Sequence, residues 1–243
     1  MLPVSSLFSG RPWVMRMRWR DLLFAHWIVD EAALRPLIPA SLEVDTFEGR
    51  AYLGVVPFLM EDVAPRGLPG APYLSLFPEV NVRTYVRDGD LPGVWFLSLD
   101  AGRRIAVEGA RQGFHLPYFH ARMSIERVGD EVRYRSERID RRGRPASLDV
   151  SYRPTGPVSM AAPGSLDAWL TDRLRLFAVD RQGRLTTTSI AHAAWRLRPA
   201  QARFDIETLS AAQGLPVSGE PAHLAFAERL DVRAWWPRRV VTD

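Results

Sequence analysis

In the run Pro78-Glu79-Val80-Asn81-Val82-Arg83-Thr84-Tyr85-Val86, an acid, an amide, a guanidinium and a phenol recur at every second position. An extended strand sends alternate side chains to opposite faces, so Glu79, Asn81, Arg83 and Tyr85 share one face and Val80, Val82, Thr84 and Val86 the other. Such a polar row suits a ligand cavity, where a few placed polar groups orient a small molecule between apolar walls. The same alternation describes a half-wet strand with a cross-strand ion pair, the common antiparallel arrangement. Within the row, Arg83 either neutralises a carboxylate on a ligand or holds Glu79 ionised, since a guanidinium forks to either.

Other groups are candidates by the same spacing rule. After Pro117 a strand places Tyr118, His120 and Arg122 on one face. His120 is then a neighbour of Tyr118 and able to act as acid or base near neutral pH, although a lone histidine is more often a structural one. Ser98 and Asp100 alternate with Leu97 and Leu99 and are placed to face the same cavity. Asp100 equally caps the following AGRRIAVEGAR helix, and the cap is preferred because Asp is a favoured N-cap. His26 and His192 sit near tryptophans, and His115 and His120 are separated by a Leu-Pro break, so no metal site is expected. No Gly-rich phosphate loop or GxSxG elbow occurs, and no cofactor is expected.

Composition removes whole classes of chemistry. The 243 residues include no lysine and no cysteine, so Schiff bases, disulfides, thiolate nucleophiles and cysteine-bound metals are all excluded. All 32 basic residues are therefore arginines, set against 28 carboxylates for a net charge of +4. They are interleaved with Asp and Glu even in the dense run from Arg135 to Arg144, which argues for a solvated surface and against nucleic-acid binding. No signal peptide and no apolar run long enough to cross a bilayer is evident, so a cytoplasmic protein without membrane contact is expected. The eight tryptophans, including Trp235-Trp236, leave homo-oligomerisation or another interaction open.

The elements that must position these residues are mostly strands. Val14 to Trp19, Leu42 to Phe47, Arg50 to Met60, Leu76 to Val86 and Gly93 to Leu99 read as β, with a tight turn at Glu48-Gly49. The Pro/Gly-rich stretch from Pro65 to Pro72 reads as a loop able to form a lid or rim. Pro117 to Val128, Val132 to Ile139 and Ala146 to Tyr152 form an antiparallel meander, and Leu176 to Val179, Leu185 to His192 and His223 to Trp236 add strands. Short helices are predicted after the N-caps Asp30 and Ser165, over Ile105 to Gln112, and from Gln201 to Leu209. The length and the 47% hydrophobic content suit one domain over residues 1–243. A mainly β chain with a few short helices is expected to close into a barrel, since closure removes exposed edges.

The segment PEVNVRTYV, followed by PGVWFLSLDA and ARQGFHLPYFHARM, resembles the uncharacterised YqjF-like family, which is related to acetoacetate decarboxylase. FAHWIVDEAALRPLIP, LTDRLRLFAVD and IAHAAWRLRPA extend the likeness over most of the chain. The resemblance implies an antiparallel, cone-shaped β-barrel with an internal cavity, which turns the polar row inward. It also implies a chemistry in which lysine forms a Schiff base with a keto acid. Here Tyr118 stands at or next to the position of that lysine, and a phenol forms no imine. Glu79 matches the decarboxylases' cavity glutamate, whereas their N-terminal arginine has no match that can be placed.

Two functions follow as expectations. The first is a barrel binding a small anionic or carbonyl-bearing molecule, with lyase- or isomerase-like acid–base chemistry. In it Glu79 or His120 moves a proton, Arg83 or Tyr118 stabilises oxyanion charge, and Asn81, Tyr85 and Ser98 contact the ligand. The second is a non-catalytic binding or sensing protein with the same cavity.

Overall fold

Met15, Met17 and Trp19 do share a face opposite Arg16 and Arg18, but the strand they begin is far longer than the alternation. A computed structural model describes residues 11–71 and 75–240. It contains β1 (Met15–Val29), α1 (Glu31–Leu34), β2 (Glu43–Val44), β3 (Ala51–Pro65), β4 (Phe77–Asp88) and β5 (Leu91–Ala101). Then follow α2 (Arg104–Gly113), β6 (Tyr118–Val128), β7 (Glu131–Arg138), β8 (Ser147–Pro154), β9 (Ser159–Met160) and α3 (Leu166–Thr171). The chain ends with β10 (Arg175–Val179), β11 (Leu185–His192), β12 (Arg196–Glu207), α4 (Leu209–Ala212), β13 (His223–Ala234) and β14 (Arg238–Arg239). The protein is mainly β, as expected.

Strand pairings close two rings that share a wall. The wall is β13–β1–β3–β4–β5. On one side β10 and β11 bridge from β5 back to β13; on the other, β6, β7, β8 and β12 make the same return by a longer route. Strand β4 stands in the shared wall, so both of its faces are covered. Its Val80, Val82 and Val86 pack with Leu23, Val55, Tyr134, Val150 and Phe226 on the side of the longer return. Its polar face looks the other way, into the smaller ring. Most pairs are antiparallel, as expected, while β5–β6 and β5–β10 are parallel. A parallel neighbour needs a crossover, and α2 supplies the one between β5 and β6.

Bulges decide which side chains face the smaller ring. Asp21 takes φ +51 and the β1–β3 register slips between Arg20 and Ala25. An inserted residue reverses the alternation. Met15, Met17 and Trp19 therefore face the ring before the bulge, and Leu22 and Phe24 after it. A second slip, between Val82 and Arg83 against β5, does the same there: Val94 and Phe96 face inward, then Leu99.

Several local expectations hold. Asp30 caps α1 through Ala32 N, Ser165 caps α3 through Ala168 N, and Glu48 and Gly49 both take positive φ in the turn bridged by Phe47 and Arg50. The helix expected from Gln201 to Leu209 is instead strand β12 as far as Glu207, paired with β8 from Ala200 onward, and only Leu209 is helical, as the first residue of α4. Its exposure alternates with period two, and the unpaired edge of β8 outweighs the weak helical spacing. The strand expected from Leu42 to Phe47 shrinks to Glu43 and Val44. None of residues 66–71 is among those lining the cavity, and Arg16, on the neighbouring strand β1, donates to the Leu68 carbonyl; Pro72 lies outside the described residues.

Candidate active site

The smaller ring encloses a cavity with free space of about 100 Å³, several times what one water needs. Its walls are mostly hydrocarbon and aromatic, including Trp19, Phe24, Phe58, Phe96, Phe114 and Trp195. Into this wall β4 projects Glu79, Asn81 and Arg83, which are 2%, 5% and 9% exposed. Tyr85, the last of the row, is fully buried beside the lining.

Tyr118 enters from the start of β6, where Leu99 and Tyr118 pair across the parallel strands and Arg111 of α2 donates to the Tyr118 carbonyl at 2.7 Å. Its hydroxyl donates to Glu79 Oε2 at 2.9 Å. Burial raises the Glu79 carboxyl to about 8, and the Tyr118 hydrogen bond only partly opposes it. Tyr118 is itself pushed well above the usual phenol range, first by burial and then by the neighbouring carboxyl, so it stays a donor.

Arg83 does not hold Glu79 ionised. Four residues apart along a strand, their backbones are about 13 Å apart. Arg83 Nη2 donates to the Tyr85 hydroxyl at 3.2 Å and the Leu170 carbonyl at 3.3 Å, and its guanidinium lies 5.3 Å over the Phe24 ring. Among the described residues no carboxylate pairs with it. A second guanidinium, Arg173, also lines the cavity, but Asp45 takes its Nη1 at 2.5 Å. Four buried polar atoms of the lining have no protein partner among the described residues: Trp19 Nε1, Asn81 Oδ1, Arg83 Nε and Arg173 Nη2. Such groups are costly unless something else satisfies them.

The other sequence candidates go elsewhere. The β5 bulge puts Ser98 opposite Val82 and Asp100 opposite Val80, on the far face of the shared wall. Asp100 is no helix cap, since the N-cap of α2 is Arg103, which makes no side-chain cap bond; Asp100 is instead gripped by Arg138, at 2.7 Å from Nη2 and 3.0 Å from Nε. His120, paired with Ala101 of β5, lies outside the cavity lining, in a recess with Arg104, Glu108 and Asp140. His192, set aside as packed, does line the cavity; burial lowers it and keeps the ring neutral. Arg173 and Trp19 were missed, because nothing in the sequence fixes the direction of a side chain just past a helix or before a bulge.

Residues 16–231 match the family profile of an uncharacterized conserved protein, DUF2071. The chain belongs to this family. The uncharacterized protein YqjF of Bacillus subtilis (strain 168) is 42% identical over 227 residues, covering 93% of this chain and 92% of its own. The fold of this DUF2071 member is that of the acetoacetate decarboxylases. The enzyme from Legionella pneumophila superposes with a TM-score of 0.66 at 12% identity, over 94% of this chain and 87% of its own. The enduracididine biosynthesis enzyme MppR, complexed with pyruvate, gives 0.62 at 15% identity, over 98% and 95%.

Proposed function

We propose that the cavity binds a small carboxylate bearing a carbonyl group and that Glu79 exchanges a proton with it. The observation that carries this reading is Arg83, a permanent cation buried in an apolar cavity, without a carboxylate partner among the described residues and with Nε unsatisfied. An isolated buried charge is expensive, and a ligand anion supplies the missing partner. The pyruvate complex of MppR supports the chemical class on a related fold.

Glu79 then works without an imine. A carboxyl near about 8 is mostly protonated at neutrality yet has an accessible carboxylate form, the condition that suits proton transfer in both directions. Its carboxylate takes the proton from the carbon next to the ligand's carbonyl, the electron pair moves to the carbonyl oxygen, and the acid form returns a proton. Tyr118 fixes the carboxyl that does this. Proton transfer of this kind serves lyase- or isomerase-like reactions.

The test uses pyruvate as probe. The native protein should accelerate deuterium uptake into the pyruvate methyl group from D2O, followed by NMR. Glu79→Gln should abolish uptake while keeping binding, and Arg83→Met should lose binding. Binding without any exchange in the native protein would leave the second reading, a non-catalytic binding or sensing protein; undiminished exchange in Glu79→Gln would remove Glu79 from the chemistry.

A further inference from the structure

Behind Arg83 a file of hydrogen bonds runs from the cavity wall to the surface. Arg83 Nη2 lies 3.2 Å from the Tyr85 hydroxyl, and that hydroxyl lies 2.7 Å from His26 Nε2. His26 Nδ1 is 3.2 Å from His223 Nδ1, and His223 Nε2 is 2.6 Å from Asp167 Oδ1. Tyr85 and His26 are fully buried, the His223 side chain is 11% exposed, and that of Asp167 is 45% exposed. The file gathers residues from β4, β1, β13 and α3, so no local sequence feature accounts for it.

With His223 carrying a single ring proton, the two ends fix the direction of every bond. A guanidinium only donates and a carboxylate only accepts. His223 must therefore donate from Nε2 to Asp167, which leaves its Nδ1 as acceptor. His26 then donates from Nδ1 and accepts at Nε2, Tyr85 donates to His26, and the Tyr85 oxygen is free to accept from Arg83. Both rings are neutral in this scheme, and each has one tautomer that fits. Burial, with His223 and Arg83 as neighbours, lowers His26 well below the usual imidazole range and keeps it uncharged. Gly54 makes room for the ring: it pairs with His26 across β1 and β3, and a Cβ there would lie 2.9 Å from His26 Cδ2 and Nε2.

We infer that Asp167, His223, His26 and Tyr85 are positioning residues that lock the Arg83 guanidinium in the one orientation that leaves Nε open to a ligand carboxylate. The inference deepens the reading of Arg83 as carboxylate receiver and rests on it for its purpose, while the lock itself is observable without ligand. Arg83 has no carboxylate partner among the described residues, and its other hydrogen bond is to a single carbonyl at 3.3 Å. The Tyr85 hydroxyl is the one side-chain acceptor it has among the described residues, and the file behind holds that oxygen in place.

Nitrogen-15 NMR on the full chain tests the lock. In the native protein His26 should carry its proton on Nδ1, and the Arg83 guanidinium should give separate, slowly exchanging nitrogen signals. His223→Asn keeps an acceptor near the Nδ1 position and should preserve those signals; His223→Phe and the more exposed Asp167→Ala should merge them. Pyruvate affinity by calorimetry should fall about tenfold in His223→Phe, the worth of one well-placed hydrogen bond, and recover in His223→Asn. A proton on His26 Nε2 in the native protein, or unchanged Arg83 signals in both disrupted variants, overturns the inference. Pyruvate binding that survives Arg83→Met would instead remove the carboxylate reading, with the NMR signals still deciding the lock.

Discussion

Replacing Glu79 by glutamine should make the protein more stable at alkaline pH, by an amount that the burial of the carboxyl sets. In the unfolded chain a glutamate has its ordinary value of 4.5, while in the fold Glu79 keeps its proton up to about 8. Between these values the folded state holds more protons than the unfolded one, so stability falls as pH rises through the window. A tenfold change in protonation constant is worth about 1.4 kcal/mol, so the loss is about 3 kcal/mol by pH 7 and about 5 kcal/mol once pH passes 8. Glutamine has the same shape, can still accept from Tyr118, and never ionises. Its variant should sit within about 1 kcal/mol of the native protein in acid, the scale of one altered hydrogen bond, and gain steadily above it. Urea unfolding of both proteins at about pH 5, 7 and 9, compared as a difference so that all other titrations cancel, measures the gain. A difference that stays constant across that range would mean that the folded carboxyl titrates like an exposed one, and the reasoning about the cavity would fail with it.

Other expected outcomes come from the same contacts. Tyr118→Phe removes the hydrogen bond that pulls Glu79 down, so the pH at which Glu79-linked stability stops falling should move upward in the same urea experiment. Gly54→Ala pushes a methyl into His26 and should cost about 1 to 3 kcal/mol in the urea midpoint, with Arg83 signals perturbed as in His223→Phe. Arg138→Met strands the buried Asp100 carboxylate and should cost about 3 to 5 kcal/mol, whereas the double variant with Asp100→Leu should recover much of it. On the acid side, the unfolded chain protonates His26 near 6.5 and the fold does not, so stability should fall as pH drops below that value, and thermal midpoints between pH 7 and 5 should show it.

The strand character of most of the chain was legible because β alternation and turn residues are local. The meander β6–β7–β8, the caps at Asp30 and Ser165 and the turn at Glu48-Gly49 all rest on neighbours in sequence. The polar row of β4 was legible too, but not the direction it faces: that depends on β4 standing in a wall covered on both sides, which is a property of the closed rings. Bulges hid more. Ser98 reads as a neighbour of Phe96 until the β5 slip moves it to the other face, and His26 joins the cavity side of β1 after the inserted residue at Asp21. Arg173 and the His26–His223–Asp167 file bring together segments far apart in the chain, and nothing short of the fold reveals them.

The decarboxylase resemblance sets Tyr118 at or next to the position of a lysine, a difference that would change the site beyond the loss of an imine. Where the decarboxylase resemblance implies an ammonium group, this chain has a phenol 2.9 Å from the Glu79 carboxyl. A unit cation at that distance would favour the carboxylate by about 6 kcal/mol at an effective dielectric constant of about 20. Burial, net of the Tyr118 hydrogen bond that already opposes it, disfavours it by about 5 kcal/mol, by the arithmetic of its raised value. The two nearly balance, so a lysine would keep the glutamate ionised, and the hydrogen bond of a phenol, worth about 1 to 3 kcal/mol to a charged acceptor, does not. The consequence is a site with a carboxyl raised by burial at Glu79 and a positive charge at Arg83, four residues along the same strand. Under the proposed function, attraction of an anion and transfer of a proton are divided between two residues, and the hydrogen-bonded file behind Arg83 would make the first of them a fixed point against which the second can act.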